Sequence, residues 1–407
     1  MGCAIAGLAK PELKAMVASL RELDPGIVPI LGEPADDVRR VSLGAAAVLY
    51  GAASCWDEAC EGLARAHGRP GLHAFAAALP LGLSSGSTYG AALTALVRGF
   101  EVGARLGESL RIYPGMHVDG TWGGFAAVTS AASLSKLDVD QALEAIQGMA
   151  CQIPNSLYLP IPAGATVRNL YVGNAAARAI TQALAVRAGI NSPAGALDHL
   201  ERSFVVPTQW SPAGQWLLAQ GYLKPYAAVR HVHYGAAAGC QWHALHRPAE
   251  QIVAVHLEIY EEAITYCGNR APASAIEAQF SLSFGLAHAL IYGDLGPEAY
   301  FPERLMSVDV RRVEALIVVV PRSGDGLERG ACLRVEHSDG SVWEHVVREV
   351  IGDPKMPMSL AQTRDKFTRY VAPVLGLQAA QTMADRVLEA PLTQTLESVV
   401  FGETPRQ

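Results

Sequence analysis

Apolar residues recur every three to four positions through most of the first 220 residues, which is the spacing of helices that pack on a core. Pro11 and Asp138 stand where helices would begin, because proline fits the first turn and an acidic residue favours the N-terminal end. Pro154, Pro160 and Pro162 predict a loop. We predict helices over these segments: one from residue 11, then 41–50, 90–103, 124–137, 138–146 and 175–188.

After about Gly221 the pattern changes. Within 251–260 every second residue is apolar, which predicts a half-buried strand. The valine-rich segment 308–320 is also typical of a strand, and 331–346 predicts a hairpin that turns at Asp339-Gly340. Further helices are predicted over 234–246 and 280–290.

Helical spacing returns after Asp353-Pro354, over 359–371 and 377–388, with Pro373 and Gly376 between these two segments. We therefore predict a fold that is mainly α plus α+β. A large all-helical domain would comprise residues 1–220, completed by 353–407 from the other end of the chain. The smaller α+β domain of residues 221–352 would be inserted into it as a lid.

The composition excludes several classes of protein. The chain has 407 residues and a net charge of −7, without a dense run of lysine or arginine, so nucleic acid is not expected as a partner. Its seven cysteines have neither disulfide-scaffold nor metal-ligand spacing. Because we find no signal peptide and no apolar stretch of membrane-spanning length, we expect a soluble, cytoplasmic protein without membrane partners.

The most informative segment is the glycine-rich turn Gly115–Gly123. It places an imidazole, His117, two residues before a carboxylate, Asp119, and an alanine-rich helix is predicted to follow. Backbone N–H groups at the start of a helix favour an anionic ligand. We take His117 as a catalytic candidate, and Asp119 and Thr121 as substrate-binding candidates. The alternative is a loop histidine that caps the next helix.

Two cationic segments follow the turn. Segment 166–173 contains Arg168 and Tyr171, and segment 224–233 contains Lys224, Arg230 and His233. Three cations within ten residues repel one another unless anions lie between them. Arginine binds a carboxylate with two hydrogen bonds but does not act as a base at neutral pH. Together the segments predict a pocket for a small molecule rich in carboxylates.

The three segments, together with 277–284 and 353–359, resemble the MmgE/PrpD family over about residues 40–370. That family includes 2-methylcitrate dehydratase, cis-aconitate decarboxylase and iminodisuccinate epimerase. The resemblance implies an active site between a helical domain and a smaller lid. It also implies homodimers and chemistry on small carboxylic acids without a cofactor. We accordingly expect neither a cofactor nor a metal ion.

The resemblance implies two further catalytic candidates, and it shows positions at which this chain differs from its relatives. Relatives carry an acid-rich segment followed by His-Pro-Gly, and Asp57 and His67 stand in the corresponding region, with His67 as proton carrier and Asp57 as its orienting acid. Arg168 stands where many relatives have a lysine, and Tyr171 where many have a histidine. Phe284 lacks the hydroxyl group of a tyrosine that decarboxylases carry near this point.

These residues predict an enzyme that removes the proton α to a carboxylate. His117 or His67 would carry the proton, and Lys224, Arg168 and Arg230 would stabilise the resulting negative charge. Loss of a β-hydroxyl group would make the chain a hydro-lyase acting on a hydroxy-polycarboxylate, which we place first. The same chemistry serves an epimerase of an amino- or imino-dicarboxylate, or a decarboxylase. A non-catalytic carboxylate-binding homologue is the remaining alternative.

Overall fold

A computed structural model describes residues 1–34, 37, 39–205, 214–322 and 329–402, and within them the chain forms seventeen α-helices and seven β-strands. The helices are α1 (Gly2–Leu8), α2 (Pro11–Leu23), α3 (Leu43–Cys55), α4 (Pro70–Ser84), α5 (Tyr89–Ser109), α6 (Gly123–Leu134), α7 (Val139–Ala150), α8 (Leu170–Arg187), α9 (His233–His243), α10 (Glu261–Cys267), α11 (Ala275–Gln279), α12 (Leu282–Tyr292), α13 (Pro302–Leu305), α14 (Val308–Leu316), α15 (Leu360–Leu375), α16 (Leu377–Glu389) and α17 (Leu396–Phe401). The strands are β1 (Pro25–Val28), β2 (Glu61–Gly62), β3 (Tyr222–Leu223), β4 (Ile252–Ile259), β5 (Ile317–Pro321), β6 (Ala331–His337) and β7 (Val342–Val347).

Helices α3 to α8 surround a core in which small side chains allow close packing. Helices α3 and α8 approach closely, so that a Cβ atom on Gly51 would lie 2.5 Å from the Cα atom of Gly173. Asp138 precedes α7 and forms a capping box. Its side chain accepts from the backbone N–H group of Gln141, and the Gln141 side chain accepts from the backbone N–H group of Asp138. The predicted helices of this region are confirmed.

Strands β4 to β7 form one sheet in the order β5-β4-β6-β7, in which only the β4–β5 pair is parallel. Val255, Leu257 and Ile259 point to the buried face of β4, where they pack with residues of α9 and α12. The predicted strand at 251–260 and the hairpin at Asp339-Gly340 are confirmed. The fold class, mainly α plus α+β, is confirmed as well.

Two local predictions were wrong. The first nine residues of 308–320 form helix α14, and only the end of the segment belongs to β5. Val310 and Val313 are buried with the three-residue spacing of a helix, so packing outweighs the strand preference of valine. Pro373 lies inside α15, and the break before α16 is the single residue Gly376, whose φ is +83°.

The C-terminal helices pack against the N-terminal ones. Val371 of α15, Met383 of α16 and Val400 of α17 share a core with Ile5 of α1 and with residues of α2 to α4. The helical part also contains β2, which pairs antiparallel with β3. The boundaries 1–220, 221–352 and 353–407 stay a prediction, and residues 403–407 lie outside the described part.

Among the described residues, no helix is both long and apolar enough to cross a membrane.

The glycine contact between α3 and α8 yields a stability test. Gly51→Ala should lower the free energy of unfolding by about 1–3 kcal/mol, because the added methyl group meets backbone atoms that have no room to move. Gly44→Ala on the same helix is the control. Its Cβ atom would have only the Ser42 hydroxyl nearby, at 3.9 Å, so stability should be unchanged or rise by up to about 1 kcal/mol. Urea unfolding followed by circular dichroism measures both. Equal midpoints would contradict the close contact.

Candidate active site

One cavity of about 340 Å³ lies between loops of the helical part and residues of the part that contains the sheet. Polar and charged side chains supply much of its wall. The titratable residues of the lining are Glu58, His67, Arg69, Arg111, His117, Asp119, Tyr158, Arg168, Tyr222, Lys224, Arg230, His231, Glu262, Tyr266 and Arg329.

The carboxylate of Glu58 binds three cations at the inner end of the cavity. It accepts from Nη1 of Arg69 at 2.9 Å and from Nζ of Lys224 at 2.7 Å, and it forms an ion pair with the guanidinium of Arg168. All four side chains are buried. Buried charges are retained only where they are paired, so this carboxylate holds the three cations in place.

Asp119 is the second carboxylate of the inner end. Both of its oxygens accept from Arg69: Oδ1 from Nε at 3.3 Å, and Oδ2 from Nη2. Burial opposes its ionisation, but the charge and hydrogen bond of Arg69, together with His117 and His73, outweigh burial and hold the pKa of Asp119 below its usual value. Three cations therefore face two carboxylates here, which leaves an excess of positive charge when Lys224 is protonated.

Lys224 follows strand β3, and its N–H group donates to the carbonyl of Cys60 at 3.1 Å, next to β2. The β2–β3 pair thus brings the lysine to the Glu58 carboxylate. Burial, and then the charge of Arg69, lowers the pKa of Lys224 from 10.5 to about 7. A lysine with this pKa exchanges protons readily near neutral pH.

His117 lies in the turn before α6. Its backbone N–H group donates to the carbonyl of Ser156 at 2.7 Å. Its ring Nδ1 accepts from the backbone N–H group of Asp119 at 3.0 Å. The ring is nearly parallel to that of Tyr158 and tilted against that of Tyr171, with centroids 6.1 and 5.9 Å away. Burial lowers the pKa of His117 to about 4 although the charge of Asp119 opposes the shift.

His67 lies at the mouth of the cavity, where its side chain is 43% exposed. Its Nδ1 is 3.5 Å from a carboxylate oxygen of Glu262, on α10, and Arg329 approaches the other oxygen at 3.6 Å. The hydrogen bond from His67 lowers the pKa of Glu262 to about 2. His231 also reaches the cavity, with Nδ1 2.6 Å from the Tyr260 hydroxyl.

Six of the predicted site residues line this cavity and four do not. Those that line it are His67, His117, Asp119, Arg168, Lys224 and Arg230, and those outside the lining are Asp57, Thr121, Tyr171 and His233.

Asp57, the predicted orienting acid, lies outside the lining, and the next residue, Glu58, is part of it. The Asp57 carboxylate binds Nζ of Lys10 at 2.7 Å, away from the cavity, whereas Glu58 faces into it. The chain leaves α3 at Cys55 and reaches Glu58 with a φ of +50°, which is unusual outside glycine. This turn places the second acidic residue of the pair, not the first, among the cations.

The side chains of the other three residues outside the lining form hydrogen bonds to backbone carbonyl groups. The Thr121 hydroxyl donates to the Val118 carbonyl at 2.5 Å and closes the turn of His117. The Tyr171 hydroxyl donates to the Leu157 carbonyl at 3.1 Å while the ring packs beside His117. His233 is fully buried, with Nε2 at 3.0 Å from the Ala228 carbonyl.

Arg230 lines the cavity, but its charge is already paired. Its Nη2 donates to both oxygens of Asp353, at 2.5 and 2.6 Å, and the guanidinium lies 4.9 Å from the ring centroids of Tyr222 and Tyr234. The inner cluster therefore offers more positive charge to a ligand than Arg230 does.

Sequence reasoning missed Glu58 and Arg69. Arg69 directly precedes Pro70-Gly71, and this residue reaches the centre of the cavity while His67 stays at the mouth. The sequence did contain an indication of Arg69. Pro70 predicts the start of a helix, and the residue before it therefore has a defined position at that helix end. Among the described residues, no group of three or more histidine, cysteine, aspartate or glutamate side chains is placed to hold a metal ion.

Comparisons with known families place both parts of the chain. The family model of the MmgE/PrpD N-terminal domain matches residues 1–208, and that of the MmgE/PrpD C-terminal domain matches residues 226–390. A search of curated proteins found no match.

The two neighbouring acids give a direct test of the site. Glu58→Gln should destabilise the fold by about 3–5 kcal/mol, because buried Arg168 and Lys224 lose their counter-charge and Arg69 keeps only that of Asp119. Asp57→Asn should cost only about 1–2 kcal/mol, because water still solvates the partly exposed Lys10. Urea unfolding of both variants measures the difference, and similar losses of stability would argue against Glu58 as the residue that holds the cations.

Proposed function

This chain belongs to the MmgE/PrpD family, and we propose that it is a cofactor-independent hydro-lyase that removes the proton α to a carboxylate of a small hydroxy-polycarboxylate. The family is generally enzymatic and suggests a dehydratase- or lyase-type activity. The substrate and the exact reaction are our proposal.

The observation that carries the proposal is the buried cluster of Arg69, Arg168 and Lys224 against two carboxylates in one cavity. When Lys224 is protonated, the three cations exceed the two carboxylates in charge, and an anionic ligand would balance this excess.

Lys224 is the base that this site supports best. Its amine, whose pKa burial and the charge of Arg69 lower to about 7, takes the proton from the carbon α to the substrate carboxylate. Negative charge then develops on that carboxylate, where Arg69 and Arg168 stabilise it. When the β-hydroxyl group leaves, it takes a proton from the Lys224 ammonium and departs as water. His67, at the mouth, is not required for this sequence.

We further propose that the chain works as a homodimer in the cytoplasm, without nucleic acid or membrane partners. The family resemblance supports the dimer and the small carboxylic acid substrate. The net charge of −7 supports the absence of a nucleic acid partner.

Proton NMR in D2O with a panel of hydroxy- and amino-polycarboxylates tests the function. The expected result is exchange of the α-proton together with new vinyl signals. Exchange with loss of stereochemistry and no alkene would favour the epimerase instead. An acid that binds without exchange would favour the non-catalytic homologue.

Replacement of the base should abolish activity. Lys224→Arg keeps a positive charge but cannot accept a proton at neutral pH, so kcat should fall by about 10²–10⁴-fold. Lys366→Arg is the matched control, because Lys366 is a partly buried lysine of lowered pKa that lies outside this cavity and donates to the Ala59 carbonyl at 2.6 Å. Turnover measured with the substrate found by NMR should separate the two variants, and equal activities would exclude Lys224 as the base.

The activity should also depend on pH in a defined direction. Because Lys224 must be neutral to accept the proton, kcat/KM should rise as pH increases through about 7 and then level off. Below this range the ammonium form predominates and activity falls about tenfold per pH unit. Initial rates between pH 5 and 9 measure the profile. A rate that increases toward low pH would contradict the assignment.

A further inference from the structure

We infer that His117 acts as a neutral hydrogen-bond donor through Nε2–H to a carboxylate oxygen of the substrate, and not as the base that removes the α-proton. This role rests on the proposed function, and it assigns His117 differently from what its position in the sequence predicts. The inference comes from the groups that surround the ring.

The first observation is the hydrogen bond at Nδ1. The N–H group of Asp119 points at this nitrogen from 3.0 Å, so Nδ1 must present a lone pair. A proton on Nδ1 would face the proton of that N–H group. The Asp119 carboxylate does not offer an alternative partner, because its nearer oxygen is 3.8 Å from Nδ1, too far for a hydrogen bond. The single proton of the ring is therefore on Nε2.

The second observation is that the turn holds this N–H group firmly. Gly120 has a φ of +81°, and its N–H group donates to Nε2 of His73 at 3.1 Å. His73 in turn places its Nδ1 2.9 Å from the Arg69 carbonyl, so that its own proton lies on Nδ1. The Thr121 hydroxyl closes the turn on the Val118 carbonyl. These three hydrogen bonds fix the backbone of the turn, so the N–H group of Asp119 stays directed at Nδ1 of His117.

The third observation concerns the charge of the ring. His117 is buried, the rings of Tyr158 and Tyr171 lie against it, and the two charged groups that act on it are Asp119 and Arg69. Asp119 would favour the imidazolium form, but both of its oxygens are engaged by Arg69. Burial therefore prevails, and the ring stays neutral across the physiological pH range.

These observations determine what His117 can do in the reaction. Nδ1 is occupied, and Nε2 carries a proton that a neutral imidazole does not release. Nε2–H can donate to an oxygen whose negative charge grows as the α-carbon loses its proton, while that proton passes to Nζ of Lys224. A fixed donor of this kind stabilises the charge without having to reorient.

The tautomer can be measured without any substrate. In ¹⁵N NMR of the histidine-labelled protein, comparison with His117→Gln identifies the His117 signals among those of the twelve histidines. We expect an unprotonated Nδ1 and a protonated Nε2 that persist from pH 9 down to about pH 5. A protonated Nδ1, or a charged ring at pH 7, would overturn the inference. The result is independent of whether the protein proves to be a hydro-lyase.

A pair of variants tests the role in turnover. His117→Ala removes the donor and should lower kcat by about 10²–10³-fold. His117→Gln supplies an amide N–H group and should recover at least about tenfold of that loss, with the rise in rate near pH 7 retained. The control is His243→Gln, at the end of α9 and outside the cavity, which should leave kcat unchanged. Equal losses in the alanine and glutamine variants, with the rise near pH 7 abolished, would restore His117 as the base.

Discussion

The carboxylate of Glu58 is the group on which the arrangement of the cavity depends. The three cations that it binds come from distant parts of the chain: Arg69 precedes α4, Arg168 precedes α8, and Lys224 follows β3. None of these charges is exposed, so each must find its counter-charge inside the protein. One side chain thus joins three segments, and it holds in the cavity wall the two arginines and the lysine that suit the cavity to an anion.

Much of the fold was predictable because burial is periodic. Helices and strands that cover a core repeat their apolar residues every three to four or every two positions, and this holds for α5, α7 and β4. The segment 308–320 shows where the method fails. Its valines suggest a strand, but Val310 and Val313 face the core three residues apart, and this packing decides the structure.

The site was predictable to the level of loops but not of individual side chains. The segments around His117, Arg168 and Lys224 do meet at one cavity. Which of two consecutive residues faces inward depends on backbone angles that residue types do not reveal, as Asp57 and Glu58 illustrate. Likewise His233 is fully buried beside Arg230, and its ring takes a backbone carbonyl as its partner. The protonation of His117 depends on a backbone N–H group, which no side-chain motif encodes.

The contact of Gly51 with Gly173 also limits how this cavity could change during evolution. Helix α3 ends three residues before Glu58, and α8 begins two residues after Arg168, so the separation of these helices sets the reach between the two charges. Because no side chain stands between the helices at this point, their axes are already at the minimum distance that backbones allow. A smaller substrate could therefore be accommodated only by exchanging side chains of the cavity wall for larger ones, since the backbone frame can widen but cannot contract.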